Sequence, residues 1–258
     1  MSTDPGPDGW PEGTDRVILE EVDSTSAEAQ RCAATTTRPT WIMARRQTSG
    51  RGRRGRPWQD PAGNFAATLL LFPDEPMQLV ALNSFVAAIA LREALHGLAP
   101  STGYALKWPN DVLLNGTKIA GILLESSGQA GRAEWLSIGI GVNLQGTPPA
   151  EALEGRAVAP SSIRNELGVD VDPDALLTHL ARSFDAHRNL LLREGFGPVR
   201  KLWLDHAARL GEVITARSMR EETTGIFEDV DAAGNLILAT PGGRRAITAA
   251  DVFFQEDG

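Results

Sequence analysis

Two stretches of this chain hold the residue types that chemistry on anions requires. From Arg45 to Arg56, twelve residues carry six arginines and three glycines. Glycine lets backbone N–H groups come close to a ligand, and the guanidinium fork pairs bidentately with phosphate or carboxylate. Further along, Lys107 to Glu125 reads KWPNDVLLNGTKIAGILLE and contains two of only three lysines in a chain with twenty-two arginines. Where arginine supplies nearly all the positive charge, a lysine marks a place that calls for a compact, rotatable ammonium. A solvated charge run is the plain alternative for the arginines, yet six in twelve positions repel one another without an anionic partner.

The second stretch also yields geometry. Asn115-Gly116, between VLL and TKIAGILL, signals a two-residue type I′ hairpin. That loop pairs Leu114 with Thr117, Leu113 with Lys118 and Asp111 with Ala120, so Asp111, Leu113 and Lys118 share one face. Asp111 then lies diagonal to Lys118 at about 7–8 Å between alpha carbons. A carboxylate and an ammonium beside a Trp-Pro-Asn turn make a site, although an exposed cross-strand ion pair has the same spacing. Gly121 is expected on the other side of the pleat, where it admits close packing.

The elements that must position these groups follow from patterning. A strand begins at Arg16, and Asp23-Ser24-Thr25-Ser26 suits a helix N-cap opening into AEAQRCAA. Such an end presents N–H groups and two hydroxyls to a ligand; a plain capped helix has the same sequence. Trp41–Arg46 is a strand leading into the arginine loop. Gly50, Gly52 and Gly55 satisfy G-x-G-x-x-G, but RPWQDPAGN cannot start the helix that a dinucleotide-binding turn needs. Asn64–Phe72 is a strand, and Leu79–Leu98 has the helical spacing of a core helix. Glu134–Leu144 is a strand whose glycines at 139 and 141 admit a close neighbour, with Asn143 needing partners at its end. Residues 145–170 read as connection, 174–194 as a helix capped by Asp172-Pro173, and a shorter helix follows Pro198 and ends near Gly211. The histidines lack metal-ligand spacing. Short hairpin strands after Gly211 indicate a small β module.

Composition narrows the function classes. With 42% hydrophobic and 22% charged residues this is an ordinary globule, and 258 residues allow one large core plus a small module. A net charge of −8 disfavours a general nucleic-acid or anionic-membrane surface, so the arginine cluster is a local exception. A single cysteine, a polar start without an apolar h-region and no long apolar run make the cytoplasm the expected compartment. The expected organisation is a disordered tail over 1–15, a catalytic domain over 16–210 and a C-terminal module over 211–258. The arginine loop is expected to be mobile alone and to order on ligand binding.

Four blocks in order, QTSGRGRRGR with Trp58, KWPND at 107–111, KIAGIL at 118–123 and GIGVNL at 139–144, resemble the signature blocks of the biotin protein ligases. The resemblance runs from about residue 16 to the C-terminus. It implies an α+β fold: a mixed β-sheet packed with helices, then an SH3-like C-terminal β-barrel. It also implies formation of biotinyl-5′-adenylate from biotin and ATP with Mg2+, then transfer to one lysine of a biotin carboxyl carrier protein, the acetyl-CoA carboxylase subunit or a related one. By resemblance, Ser24, Thr25, Gln47, Gly50 and Gly121 surround biotin, while Arg51 and Arg53 close over the phosphate. Lys118 bridges the biotin carboxylate and the α-phosphate; Arg54, Lys107, Trp58, Asn110 and Asn143 lie around ATP. Asp111 is the candidate for orienting or deprotonating the incoming lysine, and the metal rides on the ATP phosphates, near Asp111 if protein-bound. Ser26 stands where the family usually has Asn. No helix-turn-helix precedes residue 16, so no DNA partner is expected, nor a membrane; a monomer or homodimer both fit. A lipoate or octanoate ligase or transferase and a non-enzymatic anion or RNA-binding module are the alternatives. The first lacks the arginine loop plus KWPND in this form; the acidic chain opposes the second.

Overall fold

The computed structural model describes residues 9–59, 61–129, 131–148, 158–218 and 221–254. A seven-stranded sheet runs in the order β1-β2-β3-β7-β6-β5-β4. Its strands are β1 (Asp15–Leu19), β2 (Thr40–Ala44), β3 (Phe65–Leu71), β4 (Tyr104–Lys107), β5 (Asp111–Leu114), β6 (Thr117–Gln129) and β7 (Arg132–Val142). Only β1 and β2 pair in parallel; every other neighbour is antiparallel. β2 and β3 are buried at every position, since both faces are covered. Trp41, Phe65, Leu69 and Leu71 face a layer formed by α3 (Asn83–Leu98) and α5 (Pro173–Glu194). Ile42 and Leu70 face α1 (Thr25–Cys32) on the other side. At eight residues α1 is too short to cover that face, and the uncovered part carries the glycine-rich ends of β6 and β7.

After α6 (Phe196–Leu204) come β8 (Val213–Arg217), β9 (Glu222–Val230), β10 (Leu236–Thr240), β11 (Gly243–Ile247) and β12 (Asp251–Phe254), a five-stranded antiparallel sheet in the order β11-β10-β9-β8-β12. The α+β class expected from sequence is thus present, as is the small all-β module. That module docks through aromatic rings, with Trp203 between Phe85 and Phe227 at centroid distances of 5.3 and 6.4 Å. It is also tied by Trp108, whose Nε1 donates to Gly234 O at 3.0 Å. Gly234 has φ +83°, and a Cβ there would meet the Phe85 ring at 2.9 Å, so only glycine fits this turn.

Three expectations need correction. Of the disordered tail, residues 1–8 lie outside the described residues, but 9–14 are packed: Trp10 is half-buried on the core, its Nε1 donates to Thr14 O, and Arg16 lies 4.8 Å over its ring. The helix read from Leu79 is two helices, α2 (Met77–Ala81) and α3, because Asn83 Nδ2 donates to Val80 O and caps the preceding turn. The 145–170 connection contains a short helix, α4 (Ile163–Leu167), started by Ser162 accepting from Asn165 N and stopped by left-handed Gly168; residues 149–157 are outside the described residues.

Candidate active site

On the face that α1 leaves open lies a cavity of about 390 Å³. One end is neutral and hydroxyl-rich. Ser24, Thr25 and Ser26 begin α1 and are buried. Gln47 Oε1 accepts from Thr25 N at 2.9 Å and from Thr25 Oγ1 at 3.1 Å. Thr68 Oγ1, from β3, donates to Thr25 Oγ1 at 2.9 Å, and Ser26 Oγ lies 3.3 Å from Thr68 Oγ1. Ser24 occupies the N-cap position without a side-chain capping bond, which leaves its hydroxyl for a ligand. Ser26 fits because residue 139 is glycine: a Cβ there would be 2.5 Å from Ser26 Oγ.

The other end is cationic. Lys118 sits where β6 meets the 159–161 segment, with its N–H donating to Ala159 O and its carbonyl accepting from Ser161 N. Lys118 Nζ is 2.6 Å from Asp111 Oδ1, a close ion pair. Lys107 Nζ is 3.5 Å from Asp111 Oδ2. Burial alone would raise the Asp111 carboxyl, but Lys118 and Lys107 outweigh it and hold it below the usual carboxylate range. Burial likewise depresses Lys107, with Asp111 opposing. A carboxylate so stabilised is a weak base, so orienting ammonium groups suits Asp111 better than deprotonating one.

Strand pairing explains how these residues meet. The expected partners Leu114–Thr117 and Leu113–Lys118 hold, but a bulge at Ile119 shifts the next pairs to Val112–Ala120 and Asp111–Gly121. Asp111 and Lys118 share a face as expected. Gly121 joins them there, contrary to expectation, because the extra residue turns the strand over. Its bare Cα then seats the Trp58 ring, which a Cβ would approach to 3.1 Å. Gly141, across the ladder, receives the same ring.

The arginine loop closes as a small hairpin, with Trp58 N donating to Gly50 O at 2.9 Å and Gly52 N to Arg56 O at 2.8 Å. A single 3₁₀ turn, Arg53–Gly55, stands where a dinucleotide site would need a helix. Arg53 Nη1 donates to Asn110 Oδ1 at 3.2 Å while Asn110 Nδ2 donates to Ile122 O, so one amide joins the loop to the hairpin. Asn143 Nδ2 donates to Ser161 O; among the described residues its buried Oδ1 has no partner, and neither has Trp58 Nε1. Such buried polar atoms call for a partner, which a ligand seated in the cavity would supply.

Ser24, Thr25, Gln47, Arg51, Arg53, Trp58, Lys107, Asn110, Asp111, Lys118, Gly121 and Asn143 all line the cavity. Gly50 and Arg54 do not. Gly50 serves loop closure, since a Cβ there would be 2.6 Å from Trp58 O. Arg54 points to Asp251, 2.7 Å away. Sequence reasoning missed Thr68, a hydroxyl inside an apolar strand, and Asp251, Val252 and Phe253 of the last strand, which line the cavity from the C-terminal module. Among the described residues no group of three His, Cys, Asp or Glu could hold a metal ion. Asp111, flanked by two ammonium groups, does not fit one either.

Residues 19–143 match the biotin/lipoate A/B protein ligase family, and residues 210–255 match the biotin protein ligase C-terminal domain. A biotin--[acetyl-CoA-carboxylase] ligase of Paracoccus denitrificans is 52% identical over 92% of this chain and 99% of its own. That of Mycobacterium tuberculosis is 30% identical over 82% and 77%. The structure of a biotin protein ligase from Aquifex aeolicus in complex with biotin and ATP superposes with a TM-score of 0.78 at 26% identity, covering 92% of this chain and 98% of that one. With both domains matched in order, and a cavity joining a hydroxyl-lined end to a cationic one, this chain belongs to the biotin protein ligase family.

Proposed function

We propose that this protein joins biotin to ATP as biotinyl-5′-adenylate, releasing pyrophosphate, and then transfers the biotinyl group to a lysine of a biotin carboxyl carrier protein, releasing AMP. The observation that carries this reading is Lys118, held by Asp111 between a neutral hydrogen-bonding end and a cationic end of one cavity. The first step brings a carboxylate against a triphosphate, and their repulsion falls only where fixed cations compensate both. Lys118 stands at that junction, with Arg51, Arg53 and Lys107 beside it. Ser24, Thr25 and Gln47 offer the donors and acceptors that a cyclic urea requires, and Thr68 behind them orients the Thr25 hydroxyl. Trp58 supplies a ring face for adenine, and Asn143 Oδ1 an unused acceptor. Magnesium enters on the ATP phosphates, since no carboxylate of the cavity fits it.

In the second step the carrier lysine must arrive as a free amine at the acyl carbon, and Asp111 helps to orient it. The carrier is the proposed protein partner, with no DNA or membrane involved, a cytoplasmic location, and a monomer or homodimer as the working assembly. Mass spectrometry of a carrier domain incubated with this protein, biotin and ATP should show one biotinyl group on one lysine. Lipoate and octanoate run in parallel should leave the carrier unmodified, and acylation by either in preference to biotin would overturn the reading.

A further inference from the structure

The last strand of the C-terminal module, β12 (Asp251–Phe254), forms one wall of the cavity. Asp251 opens it, and three guanidinium groups of the arginine loop converge on this one carboxylate, which is 20% exposed. Arg54 Nη1 and Arg56 Nη2 donate to Oδ2 at 2.7 and 3.1 Å. Arg53 stands off at 3.7 Å from Oδ1 and donates to Asn110 instead, among the cavity-lining residues. The three arginines therefore do different work. Arg54 also holds φ 57°, ψ 29°, a left-handed backbone that side chains other than glycine rarely take. In that conformation its guanidinium meets Asp251. Three residues on, the Phe254 ring lies 5.6 Å from Lys107 Nζ, so the same strand touches both cationic blocks.

We infer that Asp251 is a positioning residue for adenylate formation: it docks the arginine loop on the C-terminal module through Arg54 and Arg56 and so leaves Arg53 turned to the phosphates. The inference rests on the ligase activity proposed above. Neighbouring guanidinium groups repel one another and would splay a glycine-rich loop; one shared carboxylate cancels part of that repulsion and fixes the loop to a strand. Because one negative charge meets three positive ones, the cluster keeps the net positive charge that attracts a triphosphate. A metal ion has no place on a carboxylate so surrounded. ATP binding thus depends on a residue 197 positions from Arg54 in the chain.

The test uses the full chain as Asp251→Asn, Asp251→Glu, the double variant Arg54→Ala/Arg56→Ala, and the double variant combined with Asp251→Asn. Pyrophosphate release is measured against ATP and against biotin, and amide hydrogen exchange of residues 50–58 is followed without ligand. Asp251→Asn should raise KM for ATP about tenfold, the scale of one charge-assisted hydrogen bond. It should leave KM for biotin within about twofold and speed exchange only in the loop. Asp251→Glu should restore part of the ATP affinity, and Asp251→Asn should add nothing once Arg54 and Arg56 are gone. Equal changes in both KM values, independent losses in the combined variant, or unchanged loop exchange would overturn the inference. If the wild-type protein released no pyrophosphate from biotin and ATP, the ligase reading would fail, and loop exchange in Asp251→Asn would still decide whether Asp251 docks the loop.

Discussion

At the neutral end of the cavity, Thr25, Ser26, Thr68 and Gln47 hang from a helix N-terminus, a buried strand and the start of a loop, and they bond to one another. At the charged end the cations belong to a loop and a hairpin and are set by two carboxylates: Lys118 and Lys107 pair with Asp111, while Arg56 and, just outside the cavity, Arg54 pair with Asp251. Uncharged hydrogen bonds contribute about 1 kcal/mol apiece and hold their geometry through packing. Paired charges that are partly desolvated contribute more and leave more behind when one partner is removed. The contrast separates two jobs, recognising a neutral ring system and neutralising two acids, and each can be broken alone.

The largest effect is expected at the junction. Lys118→Ala should cut adenylate formation by about 10²–10³-fold, the scale of losing a preorganised donor at a reacting oxygen; pyrophosphate release near the wild-type rate would merge the two ends into one undifferentiated pocket. Next comes Asp111→Asn, which leaves buried Lys107 and half-buried Lys118 without their shared carboxylate and should lower stability by roughly 3 kcal/mol. It should slow transfer to the carrier more than adenylation; equal loss in both half-reactions would remove its orienting role.

A smaller effect tests the neutral end. Thr68→Val keeps the shape but removes a hydroxyl, and about 1 kcal/mol corresponds to a several-fold rise in KM for biotin with KM for ATP unchanged. Isothermal titration with biotin alone checks this. The smallest effects are those of pH, and they sharpen the charged end. Lys107 contributes as an ammonium, present below its pKa and lost as pH rises through it; because burial lowers that pKa, the alkaline fall in adenylation should begin below the ordinary lysine value of 10.5. Lys107→Arg should move that limb upward. Asp111 has a lowered folded-state pKa, so its contribution to stability is complete above the ordinary carboxylate value and disappears as pH falls through the lowered one. Acid melts of Asp111→Asn should lose that component.

How much of this could be read from residue order depends on how local each cause is. The Asn115-Gly116 turn fixes its two nearest pairs by itself, which is why the shared face of Asp111 and Lys118 was legible. The bulge at Ile119 was not, because it is held from outside the hairpin: Ile119 O accepts from Asn143 N, and Lys118 bonds the 159–161 backbone. Asn143, a polar residue ending an apolar strand, announced itself; Thr68, itself a β-former in the middle of a strand of seven, did not. The arginine loop was visible as unbalanced charge, whereas its counterion was hidden at the far end of the chain. In the structure three of the loop's arginines stand within ion-pair distance of Asp251. The two cationic stretches were legible as chemistry, and the module beside them only as texture.

The extra residue in β6 has a practical consequence. On a regular strand, side chains three positions apart look in opposite directions, so Lys118 and Gly121 could never serve one ligand. Anyone grafting this chemistry onto an idealised hairpin would have to carry the irregularity along, since a tidied copy would fold and present its ammonium and its bare backbone to different solvents.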